Sequence, residues 1–197
     1  MKKQELIDFL DKHDACPPGR EWALTQESLS DVYTNCERGD WLLWVLRKAG
    51  MVTQPLAVEL ACQFAERVLP IYEARHTSKA PRSAIAAARN WLLNPCDETR
   101  KAAAAAAYAD DAADDASDTY AAYPDAAADA AAADAAAAAA AAAYADAATD
   151  AAAAAAAATD AAARAAADAA AERKAQADII RTLVPNPWTN IDKEESK

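Results

Sequence analysis

The chain has 197 residues, with 20 Lys and Arg against 31 Asp and Glu and a formal net charge of −11. That length suits one folded domain, and the acidic balance argues against nucleic acid as a partner, because phosphates are held by basic surfaces. Three glycines in all exclude a Gly-rich phosphate loop. The longest uncharged run of the alanine region, 135–145, is too short and too weakly apolar for a membrane span.

In chain order, Gln4 to His13 carries Leu6, Ile7, Phe9 and Leu10 and predicts a short amphipathic helix. Cys16-Pro17-Pro18-Gly19 reads as its stop, followed by Arg20-Glu21-Trp22 and a second short helix over 28–33. After the turn 35–39, Asp40 is the expected N-cap of the helix Trp41–Leu46, with Gly50 as its C′ residue. This helix is apolar nearly all round, which makes it the expected centre of the core. Pro55 opens the next helix, where Leu56, Leu60, Phe64, Val68 and Tyr72 recur every four residues and Pro70 is expected to kink or end it. A basic connector, 75–79, leads to a helix over 81–93, closed by Asn94-Pro95, and Asp97 is placed to cap the first alanine helix.

The alanine region itself has an extreme composition. Of the 71 residues from 101 to 171, 48 are alanine and 12 are aspartate, with no glycine and one proline, Pro124. Alanine is the strongest helix former, so long helices are predicted. Asp110, Asp111, Asp114, Asp115 and Asp118 fall on one helix side, and Pro124 ends or separates that helix. At about 100° per residue Asp150, Asp160, Arg164 and Asp168 lie within roughly 40° of Asp146, with Ile180, Leu183 and Val184 on the opposite side. That phase predicts one unbroken helix from about Tyr144 to Leu183, roughly 60 Å long. Asp134 is out of phase, so a break or a change of packing partner is expected between it and Asp146. Pro185 to Trp188 leaves the last helix in extended form, and IDKEESK is expected to fray.

The acidity is local. Residues 1–100 carry 13 basic and 14 acidic side chains, 101–171 carry two and twelve, and 172–197 carry five of each. Every acid from Asp110 to Asp168 is Asp although Glu is the better helix former. Asp110–Asp114–Asp118 and Asp111–Asp115 also set like charges at i,i+4, each costing roughly 0.2–0.5 kcal/mol. Short carboxylates unmatched by Lys suit a basic partner; the plainer reading is a solvating face over an alanine core.

Catalytic and metal chemistry find little support. Cys16, Cys36, Cys62 and Cys96 form no CxxC pair, and the N-terminus has no apolar signal core, which points to a cytoplasmic protein with reduced thiols. A nucleophile built from Cys16 with His13 or His76 lacks the flanking signatures of cysteine hydrolases. A metal set of His13, Cys16, Cys36 and His76 matches no compact zinc spacing. The expectation is therefore no catalytic residue, no metal and no cofactor. Arg20, Glu21, Trp22, Arg38, Asp40 and Trp41 read first as core tryptophans with charged groups pairing around them.

Those clusters carry a resemblance. DACPPGREWAL followed by NCERGDWLLWVL resembles the immunity-five-like family of immunity proteins associated with bacterial polymorphic toxins. That family carries a C-P-x-G-R-E-W segment, a C-x-R-G-D-W-L-L-W segment, a long alanine-rich helical region and a closing A-D-x-x-R-x-x-x-P. Here these are Cys16, Pro17, Gly19, Arg20, Glu21 and Trp22; Cys36, Arg38, Gly39, Asp40, Trp41, Leu42, Leu43 and Trp44; and Ala177, Asp178, Arg181 and Pro185. The resemblance spans nearly the whole chain and implies a protein that binds and neutralises a toxin. Many members interleave Tyr, Arg and Ser in the alanine region, whereas this chain is more uniformly Ala and Asp.

Together these features predict an all-α helical bundle: a compact N-terminal part (1–95) packed on long Ala/Asp helices (96–184), with a tail (185–197). The partner-binding residues expected are Asp110, Asp111, Asp114, Asp115, Asp118, Asp146, Asp150, Asp160 and Asp168, facing a basic protein toxin. No nucleic acid or membrane is expected, and the alanine faces leave room for a homodimer. The alternative is a structural or ice-binding-like alanine protein, for which Thr149 and Thr159 are the only ice-face candidates in the helix.

Overall fold

In the computed structural model the described residues are 2–74, 76–114, 131, 134–136, 138–139, 141–143, 145, 148–166 and 168–189. For 107–114, 148–149, 152 and 160 only the backbone is described. Among the described residues the protein is all-α, with no strand.

The helices are α1 (Lys2–Lys12), α2 (Pro17–Ala23), α3 (Leu29–Asn35), α4 (Gly39–Lys48), α5 (Gln54–Glu73), α6 (Ala80–Leu93), α7 (Asp97–Asp114), α8 (Ala148–Ala165) and α9 (Ala169–Leu183). The described residues between 131 and 143 are helical as well. Local chemistry sets most boundaries. Ser28 and Thr53 accept hydrogen bonds from the backbone N–H of Asp31 and Leu56, capping α3 and α5. Gly50 follows α4 at φ +70°, the left-handed conformation that ends a helix most cheaply with glycine.

Several boundaries differ from expectation. Pro17 and Pro18 start α2 rather than closing α1, because the first helical turn has no intrahelical partner for the N–H that proline lacks. Asp40 is not the N-cap of α4. Arg38 holds that position, and Asp40 lies in the first turn with its carboxylate on the Arg38 guanidinium. α7 starts at Asp97, and its first-turn bond runs from Arg100 N–H to the Cys96 carbonyl, so Asp97 is inside the helix. Pro70 neither ends α5 nor shortens it to that point; the helix continues to Glu73.

The largest correction concerns the last long helix. It is two helices, not one. Residues 166 and 168 are not helical, and the Asp168 carboxylate accepts from the N–H groups of Ala170 and Ala171, both at 3.0 Å. The chain then folds back: the Gln176 side-chain amide donates to the Thr159 carbonyl at 3.0 Å, from α9 to α8. The break expected between Asp134 and Asp146 is present at Ala145, which is not helical.

α5, rather than α4, occupies the centre. It packs most extensively on α8, with α6 and α9 as further neighbours. One face buries Leu60, Phe64 and Val68, and Ala57, Ala61, Cys62 and Ala65 are buried too. α4 packs on α9 and α8, α7 on α6, and α1 on α3. In α8, Ala151, Ala155, Ala158, Ala162 and Ala165 are buried, a 4-3-4-3 spacing that forms one seam. A single contiguous core runs from Leu6 to Trp188. Tyr33 and Trp188 meet with ring centroids 5.6 Å apart, so the start of the tail is docked on α3.

Candidate functional site

The tryptophans and cysteines of the first two motif segments line one cavity of about 310 Å³ between α1, α2, α3 and α4. The short helix α2 presents Trp22, and α4 presents Trp41 and Trp44 one turn apart. Trp22 and Trp41 lie with ring centroids 5.8 Å apart, tilted by 47°, and Phe9 of α1 meets Trp44 edge-on at 6.1 Å. Leu6, Leu10 and Val32 supply apolar wall, and the thiols of Cys16 and Cys36 and the carboxyl-bearing Asp14 and Asp40 also line it. Asp14 adopts φ +51° in the turn between α1 and α2, a conformation that Asp tolerates better than most residues.

The charged groups of these motifs are largely paired. Arg38 donates to Asp40 through Nε at 2.9 Å and Nη2 at 2.5 Å, and its guanidinium carbon stands 4.6 Å from the centre of the Trp41 ring. Arg173 approaches Asp40 at 4.0 Å. Arg20 pairs with Asp11 at 2.9 Å on the surface, and Glu21 is exposed. The Cys36 thiol donates to the Arg38 carbonyl at 3.5 Å, and burial pushes its pKa up to about 11. Such a thiol is protonated at neutral pH and a poor nucleophile.

The third motif segment closes on the second. Arg181 of α9 donates through Nε to the Tyr33 carbonyl at 3.0 Å and through Nη2 to the Cys36 carbonyl, satisfying the end of α3. The Tyr33 hydroxyl donates to the Val184 carbonyl at 2.6 Å. A Cβ at Gly39 would stand 2.5 Å from the Gln176 Cβ and 3.1 Å from the Ala177 nitrogen. Gly39 therefore lets α4 touch the backbone of α9. The motif residues Cys16, Trp22, Cys36, Arg38, Gly39, Asp40, Trp41, Trp44 and Arg181 thus belong to one framework, while Arg20 and Glu21 face outward.

The acidic side chains that are described in the alanine region, those of Asp134, Asp150 and Asp168, sit in different surroundings. Asp150 is exposed on α8, and Asp168 is exposed but serves as the N-cap of α9. Asp134, also exposed, takes an ion pair from Arg164 at 3.4 Å. Asp110, Asp111 and Asp114 lie on α7 and Asp160 on α8, with only their backbone described; Asp115, Asp118 and Asp146, together with Pro124 and Tyr144, lie outside the described residues. Thr159 is buried, its hydroxyl donating to the Ala155 carbonyl at 2.8 Å, which removes it from any ice-binding face. His13 packs against Phe9 and His76 stacks on Tyr72. Among the described residues no three His, Cys, Asp or Glu side chains come together to hold a metal ion, and no helix is long and apolar enough to cross a membrane.

Sequence reasoning missed the polar network at the α5, α8 and α9 junction. Glu172 is buried, held by Arg67 through Nε at 3.0 Å and Nη2 at 2.9 Å. Gln176 is fully buried beside it, with its Oε1 unpartnered among the described residues. The signal was available as Glu172 and Gln176 one turn apart on the side that carries Ile180. No family model, curated protein or solved structure matches this chain.

Proposed function

We propose that this protein is an immunity-type binding protein that neutralises a basic protein toxin through the acidic surface of its alanine helices, with no catalysis of its own. The observation that carries the proposal is the placement of charge: residues 101–171 hold two basic and twelve acidic side chains while the rest of the chain is nearly balanced. Asp134, Asp150 and Asp168, whose exposure is described, are all exposed. Such a surface steers a basic partner into fast, salt-sensitive association. The motif resemblance supplies the class of partner, and the proposal places both proteins in the cytoplasm.

The test is protection. Cells exposed to the toxin survive when they express the wild-type chain, and a variant with Asp110, Asp114, Asp118, Asp150 and Asp160 replaced by Asn protects less. Undiminished protection by that variant sinks the charge mechanism. The rival reading, a structural protein whose aspartates only solvate and cap, is favoured by Asp168, which caps α9, and by the Asp134–Arg164 pair. Under that reading Asn at Asp150 changes nothing beyond solubility.

A further inference from the structure

We propose that the tryptophan-lined cavity is a binding site for a small amphipathic cation, an apolar body of one or two rings that carries an ammonium or guanidinium group. The site is independent of the acidic helices, because all of its lining comes from residues 6–45. Failure of either proposal leaves the other standing.

Size sets the body. About 310 Å³ is at the lower end of ligand pockets and about twice an engineered cavity of roughly 150 Å³ that takes benzene. Three indoles and a set of aliphatic side chains offer flat, polarisable walls. Charge sets the end group. The lining holds two carboxyl-bearing residues, Asp14 and Asp40, and no Lys, Arg or His. Its buried thiol, Cys36, stays neutral because burial raises its pKa to about 11. An anion would find no cationic side chain in the lining, and the guanidinium nearest to it, that of Arg38, is already bound to Asp40.

The chain already shows the preference. Arg38 places a guanidinium over the Trp41 ring while its nitrogens bind Asp40, the pairing of aromatic face and carboxylate that a ligand cation seeks. Asp40 is therefore occupied. Asp14 is exposed at the cavity edge, and no cation is paired with it among the described residues. It is the carboxylate left for the ligand.

The test uses the purified full chain and the rate of carbamidomethylation of Cys16 by iodoacetamide, read by peptide mass spectrometry. The thiolate displaces iodide, the S–C bond forms and the thiol proton passes to buffer. Cys16 lines the cavity and is exposed, while Cys96 is exposed outside it and serves as the internal control. Three probes differ only in their end group: 2-phenylethylammonium, 2-phenylethanol and phenylacetate. The expected result is saturable protection of Cys16, but not Cys96, by the ammonium, about fivefold tighter than by the alcohol, and none by phenylacetate. Asp14→Asn, which keeps the left-handed turn because Asn tolerates it, lowers the ammonium to the level of the alcohol. Equal protection by ammonium and alcohol, or protection unchanged in Asp14→Asn, overturns the cation assignment. No protection by any probe at millimolar concentration overturns the site.

Discussion

Gly39 shows how much one side chain, or its absence, decides here. It is the first residue of α4 and does not adopt a positive φ, so glycine is kept for space and not for backbone freedom. A methyl group placed there would overlap the Gln176 Cβ and press on the Ala177 nitrogen, and α4 could no longer rest on α9. Gly39→Ala should lower stability by about 1–3 kcal/mol, as overpacking of a close contact does, measured as a shifted urea midpoint. The buried hydroxyl and thiols give a second residue-scale expectation. Burial raises Tyr33 to about 12, Cys36 to about 11 and Cys62 to about 12. Each group binds its proton more tightly folded than unfolded, so the stabilisation is complete below about pH 9, near the ordinary thiol value, and lost as pH rises through 11–12. Urea midpoints should therefore hold from pH 7 to 8.5 and fall steeply by pH 10.5. A midpoint independent of pH over that range would contradict the burial of these groups.

At the scale of elements the alanine helices pose a problem of register. A buried methyl group contributes about 0.8 kcal/mol or less, and a seam of identical residues fits nearly as well after a shift of one turn. Polar contacts remove the degeneracy. Gln54, at the start of α5, donates to the carbonyls of Ala145 at 2.8 Å and Ala143 at 3.4 Å. Gln176 takes the Thr159 carbonyl, and Arg67 takes Glu172. Arg67→Ala leaves a buried carboxylate unpaired. Because the Arg67 side chain is 41% exposed, solvent screens part of the effect, and a loss of about 1–3 kcal/mol is expected by chemical denaturation. Arg67→Met with Glu172→Leu should recover most of it. Asp168→Ala removes the cap of α9 and should cost about 1 kcal/mol with little change in helical circular dichroism, because α9 remains packed on α4.

The same residues explain what the sequence could and could not disclose. Helix composition, the α5 apolar spacing and the Gly50 terminus were legible because each rests on local chemistry. The stripe of Asp150, Arg164 and Asp168 was in phase, yet its members do different jobs: exposure, an ion pair and a cap. Periodicity cannot distinguish a carboxylate on a helix face from one that begins the next helix, and in an alanine run nothing else marks the end of α8 at Ala165. The cavity was hidden for a related reason. Trp22, Trp41 and Trp44 read as core, and only their three-dimensional arrangement leaves space between them. The contact of Gly39 with α9 joins positions far apart in the chain, which no local pattern encodes.

For the molecule as a whole, the N-terminal helices and the alanine helices share one core, with α5 between α6 and α8. The motif residues mostly build the framework, and the partner surface proposed above lies apart from them, on the alanine helices where the negative charge is concentrated. Whether that surface holds a basic protein is decided by an affinity pull-down of the tagged chain from its native lysate at low and high salt. The five-residue Asp→Asn variant is run beside it, and captured proteins are identified by mass spectrometry. One basic protein bound at low salt, released at high salt and absent from the variant is the predicted result. No basic partner at either salt, or capture unchanged by the substitutions, would contradict it and return the aspartates to solvation and capping.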